Sequence, residues 1–132
     1  IYLVHGGPTN NQNQYIYPDS DLETSYHALK KQNKDIKICV SGHTHHAFAR
    51  QYKDIKFVNV GSIGMPRDYS VWASFGVIES QTGQVDIYRF NIENDLNKMI
   101  SDYSQTHQSV LDLVSRNKNN LPDGIILWAI KK

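Results

Sequence analysis

His43 and His45 are the residues of this chain whose type and spacing best fit metal binding. They follow the apolar segment 36–40, a predicted buried strand, through Ser41 and Gly42. Because residues i and i+2 of an extended backbone face the same way, we expect both imidazoles to point into one pocket. Imidazole is a common ligand of zinc, manganese, iron and nickel. The alternative is a polar loop with incidental histidines, but the position at a strand end favours a metal site because ligands bind beyond the carboxyl ends of strands in α/β sheets.

His5 repeats this arrangement near the start of the chain. It follows residues 1–4, a second predicted buried strand, and precedes the Gly-Gly-Pro sequence at 6–8. If the two strands are neighbours in one sheet, His5 lies beside His43 and His45. A histidine that only caps or hydrogen-bonds is the alternative for His5 alone. The two strand-end motifs together favour a shared site.

The loop at 61–68 could contact a phosphate. Gly61 and Gly64 permit close approach of the backbone, and Ser62 together with the loop amides can donate hydrogen bonds to an oxyanion. Arg67 could hold a phosphate with two hydrogen bonds. In the alternative, the loop is a tight connection in which Arg67 and Asp68 form a surface ion pair. The loop alone does not decide between these two interpretations.

A helix is predicted between the first two strands. Ser20 and Glu23 have the spacing of a capping box, which opens a helix. The residues that would form its apolar stripe are Leu22, Tyr26 and Leu29. This helix would connect the strand before His5 to the strand before His43.

The remaining elements predict an α/β fold, a layered sandwich with a mixed sheet. Two strand pairs are predicted, 47–52 with 56–60 and 72–79 with 85–90. Helical spacing returns over 96–114, as one long helix or two short ones. Residues 125–130 could form an edge strand or a packed tail. We expect residues 1–132 to form a single domain.

Composition narrows the classes of function. Fourteen Lys and Arg residues offset thirteen Asp and Glu, so the net charge of +1 predicts no strong attraction to nucleic acid or an anionic membrane. The single cysteine, Cys39, excludes an internal disulfide framework and a cysteine-rich zinc site. No apolar run approaches the ~20 residues of a membrane helix. The first residue, Ile1, already belongs to a predicted strand, so we expect these residues to be the C-terminal part of a longer protein or a processed chain.

The motifs resemble those of the calcineurin-like metallophosphoesterases, in their small prokaryotic phosphodiesterase branch. The matching stretches are Val4-His5-Gly6-Gly7-Pro8, Tyr15-Ile16-Tyr17-Pro18, Ser41-Gly42-His43-Thr44-His45 and Asn59-Val60-Gly61-Ser62, extended by Pro66-Arg67-Asp68. Their order fits the C-terminal portion of such an enzyme, from residue 1 to about residue 90. Residues 91–132 carry no signature of the family and are expected to form a helical C-terminal extension.

The resemblance implies an αββα sandwich with a dimetal site that hydrolyses phosphoesters. Carried over by position, His5 and His43 would bind one divalent ion and His45 the other. The two ions would be manganese, iron, nickel or zinc, which all suit histidine and aspartate ligands. The enzyme class implied is a metal-dependent phosphodiesterase or phosphatase.

The resemblance also implies substrate-binding residues. Asn59, Gly61 and Ser62 would line the pocket floor, and Arg67 would contact the substrate phosphate. The family's Asp-x-His, Gly-Asp-x-x-Asp and Gly-Asn-His-Asp/Glu motifs are absent from these residues. They supply the remaining ligands and the histidine thought to protonate the leaving group. We therefore expect the catalytic residues upstream of Ile1, and we expect the isolated 132-residue chain to be inactive or nearly so.

Two other classes of function stay open. One is a phosphoesterase-like domain that has lost catalysis and acts as a binding module. The other is a mononuclear metal-binding module that uses only His5, His43 and His45. The expected partner is a small phosphoester or a nucleotide, in a cytoplasmic protein without membrane contact. If residues 125–130 are exposed, they would form an association surface for a homo-oligomer.

Overall fold

The computed structural model describes residues 1–103, 105–115 and 126–127. The helices and strands are, in chain order, β1 (Tyr2–Leu3), α1 (Glu23–Gln32), β2 (Ile38–Ser41), β3 (Phe48–Tyr52), β4 (Ile55–Asn59), β5 (Trp72–Ile78), β6 (Val85–Asn91), α2 (Glu93–Asp102), α3 (Gln108–Ser115) and β7 (Ile126–Leu127). They are divided between two sheets and the helices that cover them.

The first sheet is mixed and carries three parallel strands. Its strand order is β1-β2-β4-β3. β1 pairs with β2 in parallel, with Tyr2 opposite Cys39, and β2 pairs with β4 in parallel, with Val40 opposite Val58. β3 returns antiparallel along β4. The carboxyl ends of β1, β2 and β4 therefore lie at the same edge of the sheet.

The second sheet has the order β5-β6-β7. β5 and β6 form the predicted antiparallel hairpin, from Trp72 opposite Asn91 to Ile78 opposite Val85. In the connection between these strands, Gly83 has a φ of +73°, a conformation that side-chain-bearing residues rarely adopt. β7 adds in parallel to β6.

Apolar side chains join these elements into four layers, helix, sheet, sheet and helix. The core between α1 and the first sheet includes Leu22, Leu29, Cys39, Ile55 and Phe57. The core between the two sheets includes Ile38, Val40 and Val58, with Val60, Ile78 and Val85 against them. The core between the second sheet and its helices includes Val71, Ala73, Leu96 and Leu113. The α/β class, the layered sandwich and the mixed sheet are confirmed.

Strand β2 shows how the sequence produces this layering. Its side chains alternate in direction, so Cys39 faces α1 while Ile38 and Val40 face the second sheet. A strand buried on both faces is apolar throughout, which explains its continuous apolar run. Cys39 is unpaired, and burial raises the pKa of its thiol to about 12. The thiol stays protonated and packs as a small apolar group.

The start of helix α1 differs from the prediction. α1 begins at Glu23, and no side-chain hydrogen bond caps it from Leu22. Ser20 Oγ accepts instead from the N–H of Tyr17 at 2.9 Å, while Asp21 Oδ1 accepts from the N–H of Glu23 at 2.9 Å. The predicted Ser20–Glu23 capping box is therefore wrong, because Asp21 provides the acceptor for the first turn.

The C-terminal part contains two helices rather than one. α2 and α3 lie on either side of an interruption after Asp102. Of the predicted segment 125–130, residues 126–127 form β7, and the others lie outside the described residues. Within the described ranges, no helix combines the length and the apolar character that crossing a membrane requires.

Candidate functional site

The three parallel strands bring their following residues to one edge of the first sheet. β1 leads to His5, β2 leads into residues 42–46 and β4 leads into residues 60–62. Backbone hydrogen bonds continue this pairing beyond the strands. The N–H of Val4 donates to the carbonyl of Val40 at 3.0 Å, and the N–H of Gly42 donates to the carbonyl of His5 at 2.8 Å. The structure therefore places His5 against the segment that carries His43 and His45.

His5 and His43 form a pair of facing imidazoles. The Nε2 atom of His5 lies 3.0 Å from the Nδ1 atom of His43, and the ring centroids are 4.9 Å apart in an edge-to-face arrangement. The other nitrogen of His43, Nε2, is buried and has no hydrogen-bond partner in the described part of the chain. A buried polar atom without a partner costs about 1–3 kcal/mol. Such an atom marks a place where a further group is expected.

His45 is oriented by the loop that follows β4. Its Nδ1 atom lies 2.7 Å from the carbonyl oxygen of Met65. Because a carbonyl oxygen only accepts, Nδ1 carries the proton and Nε2 keeps a free lone pair. A metal-binding imidazole is oriented in the same way, with its other nitrogen donating to a fixed acceptor.

The backbone of the segment 43–45 is a turn and not an extended strand. His43 has a φ of +62° and His45 a φ of +58°, and the N–H of Thr44 donates to the carbonyl of Gly42 at 2.6 Å. The argument that residues i and i+2 face the same way is therefore wrong here. Left-handed conformations of non-glycine residues are strained and cluster at functional sites.

The three histidines do not form one ligand group. Among the residues that the structure describes, no set of three or more histidine, cysteine, aspartate or glutamate side chains is placed to hold a single metal ion. The close pair is His5 with His43, while the Nδ1 atom of His45 is engaged by Met65. This arrangement offers two separate sets of donors.

Asn59 supports the turn at residues 43–45, the histidine turn, from the core side. Its side chain is fully buried, at 0% exposure. Its Nδ2 donates to the carbonyl of Gly42 at 2.7 Å and to Thr44 Oγ1 at 2.9 Å, and its Oδ1 accepts from the N–H of Gly61 at 2.9 Å. Asn59 thus links the end of β4 to the end of β2. The burial favours a supporting role over the predicted contact with substrate.

Ser62 and Arg67 lie closer to the surface. Ser62 is half-buried, and its Oγ accepts from the N–H of Met65 at 3.0 Å, so its own proton is free to be donated. The side chain of Arg67 is exposed, while its backbone N–H donates to the carbonyl of His45 at 3.2 Å. The guanidinium of Arg67 is therefore tethered to the histidine turn through its backbone and accessible to an anion.

Gly61 is required by both conformation and space. Its φ is +80°, and a Cβ at this position would lie 2.0 Å from Ser74 Oγ. We expect Gly61→Ala to destabilise the protein by about 1–3 kcal/mol, because the left-handed backbone is strained by a Cβ and Ser74 must move. The measurement is the free energy of unfolding in urea.

Gly64 in the same loop provides the matched control. No atom lies within 4 Å of a Cβ built there, and its φ is outside the left-handed region. Gly64→Ala should therefore leave stability unchanged or raise it by up to about 1 kcal/mol, through the lower entropy of the unfolded chain. Equal destabilisation by the two substitutions would contradict the assigned role of Gly61.

A buried ion pair, which the sequence analysis missed, fixes the loop that carries Arg67. Both amino groups of the Arg89 guanidinium contact the carboxylate of Asp68, and the two side chains are only 2% and 7% exposed. Asp68 Oδ2 also accepts from the N–H of Ala47 at 2.8 Å. The alternative interpretation of the loop, in which Arg67 pairs with Asp68, is therefore wrong. An arginine between Tyr88 and Phe90, inside a predicted hairpin strand, is the sequence signal that could have indicated a buried partner.

Comparison with known protein families identifies the superfamily of this chain. A family model described as the calcineurin-like phosphoesterase superfamily domain matches residues 1–83. The chain belongs to this superfamily. Among curated proteins, none matches the chain significantly.

Two solved structures share the fold of this chain. A metallophosphoesterase from Sphaerobacter thermophilus matches with a TM-score of 0.65 and 22% identity, and a hypothetical protein from Pyrococcus horikoshii matches with a TM-score of 0.66 and 20% identity. Each match covers 84% of this chain. The chain spans about half the length of these proteins, 52% of the first and 44% of the second.

The histidine donors fit the divalent metals that members of the superfamily generally use. Two nitrogen ligands bound at ~2.1 Å to one ion are roughly 3.0 Å apart at a right angle and roughly 3.4 Å apart at a tetrahedral angle. The 3.0 Å between His5 Nε2 and His43 Nδ1 fits the right-angled arrangement. With an ion bound between them, the two facing nitrogens both direct lone pairs at the ion, and no proton lies between the rings. The free Nε2 of His45 provides a further donor of the same kind.

Proposed function

We propose that this phosphoesterase-superfamily protein hydrolyses phosphoesters with a dinuclear centre. His5 and His43 hold one divalent ion, and His45 provides a ligand to the second. The observation that carries the proposal is the 3.0 Å separation of His5 Nε2 and His43 Nδ1 at the carboxyl edge of parallel strands. The second donor is supported by the Met65 carbonyl, which sets the tautomer of His45.

Each side chain at the edge has a distinct task in this proposal. Bound divalent ions would supply an activated water and neutralise charge on the phosphoryl oxygens. Arg67, exposed beside the histidine turn, binds a phosphoryl oxygen through its guanidinium. Ser62 donates its free hydroxyl proton to the same group. Asn59 holds the turn in place from the core.

Groups outside these 132 residues complete the site in this proposal. The donors that these residues provide are imidazoles, and a dinuclear centre also needs carboxylates, including one that bridges the ions. β1 lies at the edge of the first sheet, and the Leu3 side chain on it is 78% exposed. An edge of this kind can accept a further strand. We therefore propose that the isolated 132-residue chain has little or no activity.

The finer assignments belong to the same proposal. The substrate is a small phosphodiester or phosphomonoester, or a nucleotide, and the ions are manganese, iron, nickel or zinc. The protein acts in the cytoplasm, where a single unpaired cysteine such as Cys39 is ordinary. Homo-oligomer formation through residues 125–130 stays a prediction.

The test uses protein expressed from the complete reading frame that contains these residues. The protein is stripped with a chelator and reloaded separately with Mn²⁺, Fe²⁺, Ni²⁺ and Zn²⁺. Hydrolysis of bis(p-nitrophenyl) phosphate and p-nitrophenyl phosphate is then followed, with bound metal measured by mass spectrometry. We expect about two ions per chain and hydrolysis only after reloading.

The alternatives give different results in the same assay. A phosphoesterase-like binding module, whose upstream part would lack the aspartate ligands, would hydrolyse neither ester after reloading. A mononuclear module would bind about one ion per chain, and that stoichiometry would overturn the dinuclear proposal.

A further inference from the structure

Tyr15 and Tyr17 form an aromatic surface that the metal-binding proposal does not use. Their ring centroids are 6.1 Å apart and their planes differ by only 15°. The two residues are 52% and 37% exposed, so part of each ring is open to solvent. Two stacked tyrosine rings provide apolar aromatic surface at low entropic cost, because tyrosine has few rotatable bonds.

The residue between them anchors this surface to the core. Ile16 is only 2% exposed and packs with the core beneath α1, and its carbonyl accepts from Thr44 Oγ1 at 3.3 Å. On either side, Gln14 Nε2 donates to Ser25 Oγ at 2.8 Å, and Arg50 Nη1 donates to the carbonyl of Pro18 at 2.6 Å. With Ile16 buried, Tyr15 and Tyr17 remain at the surface. The aromatic surface is therefore fixed before any ligand arrives.

The aromatic surface is continuous with the histidines. The ring of Tyr15 lies 4.3 Å from the ring of His43, centroid to centroid, and the ring of Tyr17 lies 5.1 Å from that of His46. The same His43 ring faces His5 through its Nδ1 atom. A phosphoester whose phosphoryl group is bound at the histidine pair would thus have its substituents within reach of the Tyr15 ring.

We propose that Tyr15 and Tyr17 bind a planar aromatic group of the substrate by stacking, and that this group is a nucleobase. The inference rests on the proposed function and narrows its substrate to nucleotide phosphoesters. Base–aromatic stacking tolerates any base, because every base has a π face. The proposal therefore predicts a preference for nucleotides without a preference among the four bases.

The experiment compares two diesters that differ in the aromatic group. Protein from the complete reading frame is assayed on the methyl ester of adenosine 5′-monophosphate and on the methyl ester of glycerol 3-phosphate. Tyr15→Leu is expected to lower the ratio of kcat/KM for the adenosine ester over the glycerol ester by about tenfold. Tyr15→Phe, which keeps the ring, should retain the ratio within about twofold, and so should the control Tyr103→Leu, at an exposed tyrosine on the end of α2.

The outcomes distinguish failure of the stacking proposal from failure of the proposed hydrolysis. An unchanged ratio in Tyr15→Leu, or a loss as large in Tyr15→Phe, would overturn it even in an active enzyme. Methyl p-nitrophenyl phosphate provides the non-nucleotide aromatic ester. If Tyr15→Leu affected only that ester, the assignment to a nucleobase would be overturned.

A binding measurement covers the case in which no ester is hydrolysed. Adenosine 5′-monophosphate and glycerol 3-phosphate are titrated into the purified protein by calorimetry. If the protein binds the adenosine compound more tightly and this preference falls about tenfold in Tyr15→Leu, stacking is supported even when neither ester is hydrolysed. Equal affinity for the two compounds would overturn the stacking proposal. The same result is expected if another part of the protein covers both tyrosines, and it overturns the proposal in that case as well.

Discussion

Replacing His43 by asparagine is expected to lower kcat/KM for phosphoester hydrolysis by at least about 100-fold. Even the groups that only orient a metal ligand cost 10–100-fold when they are removed, so the loss of a ligand should cost no less. His43 contributes the Nδ1 atom that faces His5 Nε2 at 3.0 Å, and without it a single imidazole remains at that position. Asparagine is suitable because it tolerates the left-handed backbone, φ +62°, found at this residue.

The control for this substitution is His27→Asn in helix α1. His27 is the same residue type, its side chain is 65% exposed, and its nearest charged partner is Glu23 of the same helix. Histidine and asparagine have similar helix propensities, so stability should hardly change. We expect full activity and full metal content in this variant. His43→Asn should lose bound metal while keeping the unfolding midpoint of the metal-free parent protein, since metal binding itself stabilises the folded state. Full activity in this variant would exclude the His5–His43 pair as a ligand set.

The convergence of the histidine motifs could be predicted from local patterns. Residues 1–4 and 36–40 are short apolar runs, each followed by glycine and histidine, and runs of that kind predict buried parallel strands. The parallel pairing is found, but the prediction that residues 1–4 are buried is wrong, because β1 lies at the sheet edge and Leu3 is 78% exposed. Parallel neighbours end at the same edge, so placing His5 beside His43 needed only the assumption that the strands pair. The layers could be predicted from the order of helices and strands, because each element must bury its apolar face against another.

The shape of the turn could not be predicted in this way. Periodicity gives the direction of side chains only while the backbone is extended, and His43 and His45 are both left-handed. That conformation depends on the Asn59 side chain, which reaches back from β4 to the carbonyl of Gly42. Asn59 is 17 residues away in the chain, so no local pattern records this contact.

The Asp68–Arg89 pair illustrates the same limit over a longer separation. The two residues are 21 positions apart, and the adjacent Arg67 offered a simpler partner for Asp68. The choice is made by packing. Arg89 lies in β6 at 1% exposure, and a buried guanidinium requires a carboxylate, whereas the exposed Arg67 can be solvated.

Arg89→Met is accordingly expected to destabilise the protein by about 3–5 kcal/mol, because it leaves the carboxylate of Asp68 buried without its ion pair. The guanidinium also donates to the carbonyl of Trp72 at 3.1 Å and lies 4.7 Å from the ring centroid of Tyr69, so these contacts are lost as well. The matched control is Lys98→Met. It removes the exposed pair between Lys98 and Asp102, whose side chains are 75% and 49% exposed, and should cost less than about 1 kcal/mol. Urea unfolding measures both variants.

The double substitution Arg89→Met with Asp68→Asn distinguishes the pair from simple loss of packing. If the buried charge causes most of the loss, neutralising Asp68 should recover part of the stability of Arg89→Met, since no unpaired charge is left. If the loss comes from packing around the guanidinium, the second substitution should destabilise further. Asp68 Oδ2 also accepts from the N–H of Ala47, and Asp68 Oδ1 accepts from the N–H of Tyr69, each at 2.8 Å. Asparagine has a single acceptor oxygen and therefore keeps one of these two bonds. The stability recovered in the double variant thus measures the removal of the unpaired charge less the loss of one hydrogen bond, and any net recovery is a lower bound on the cost of that charge.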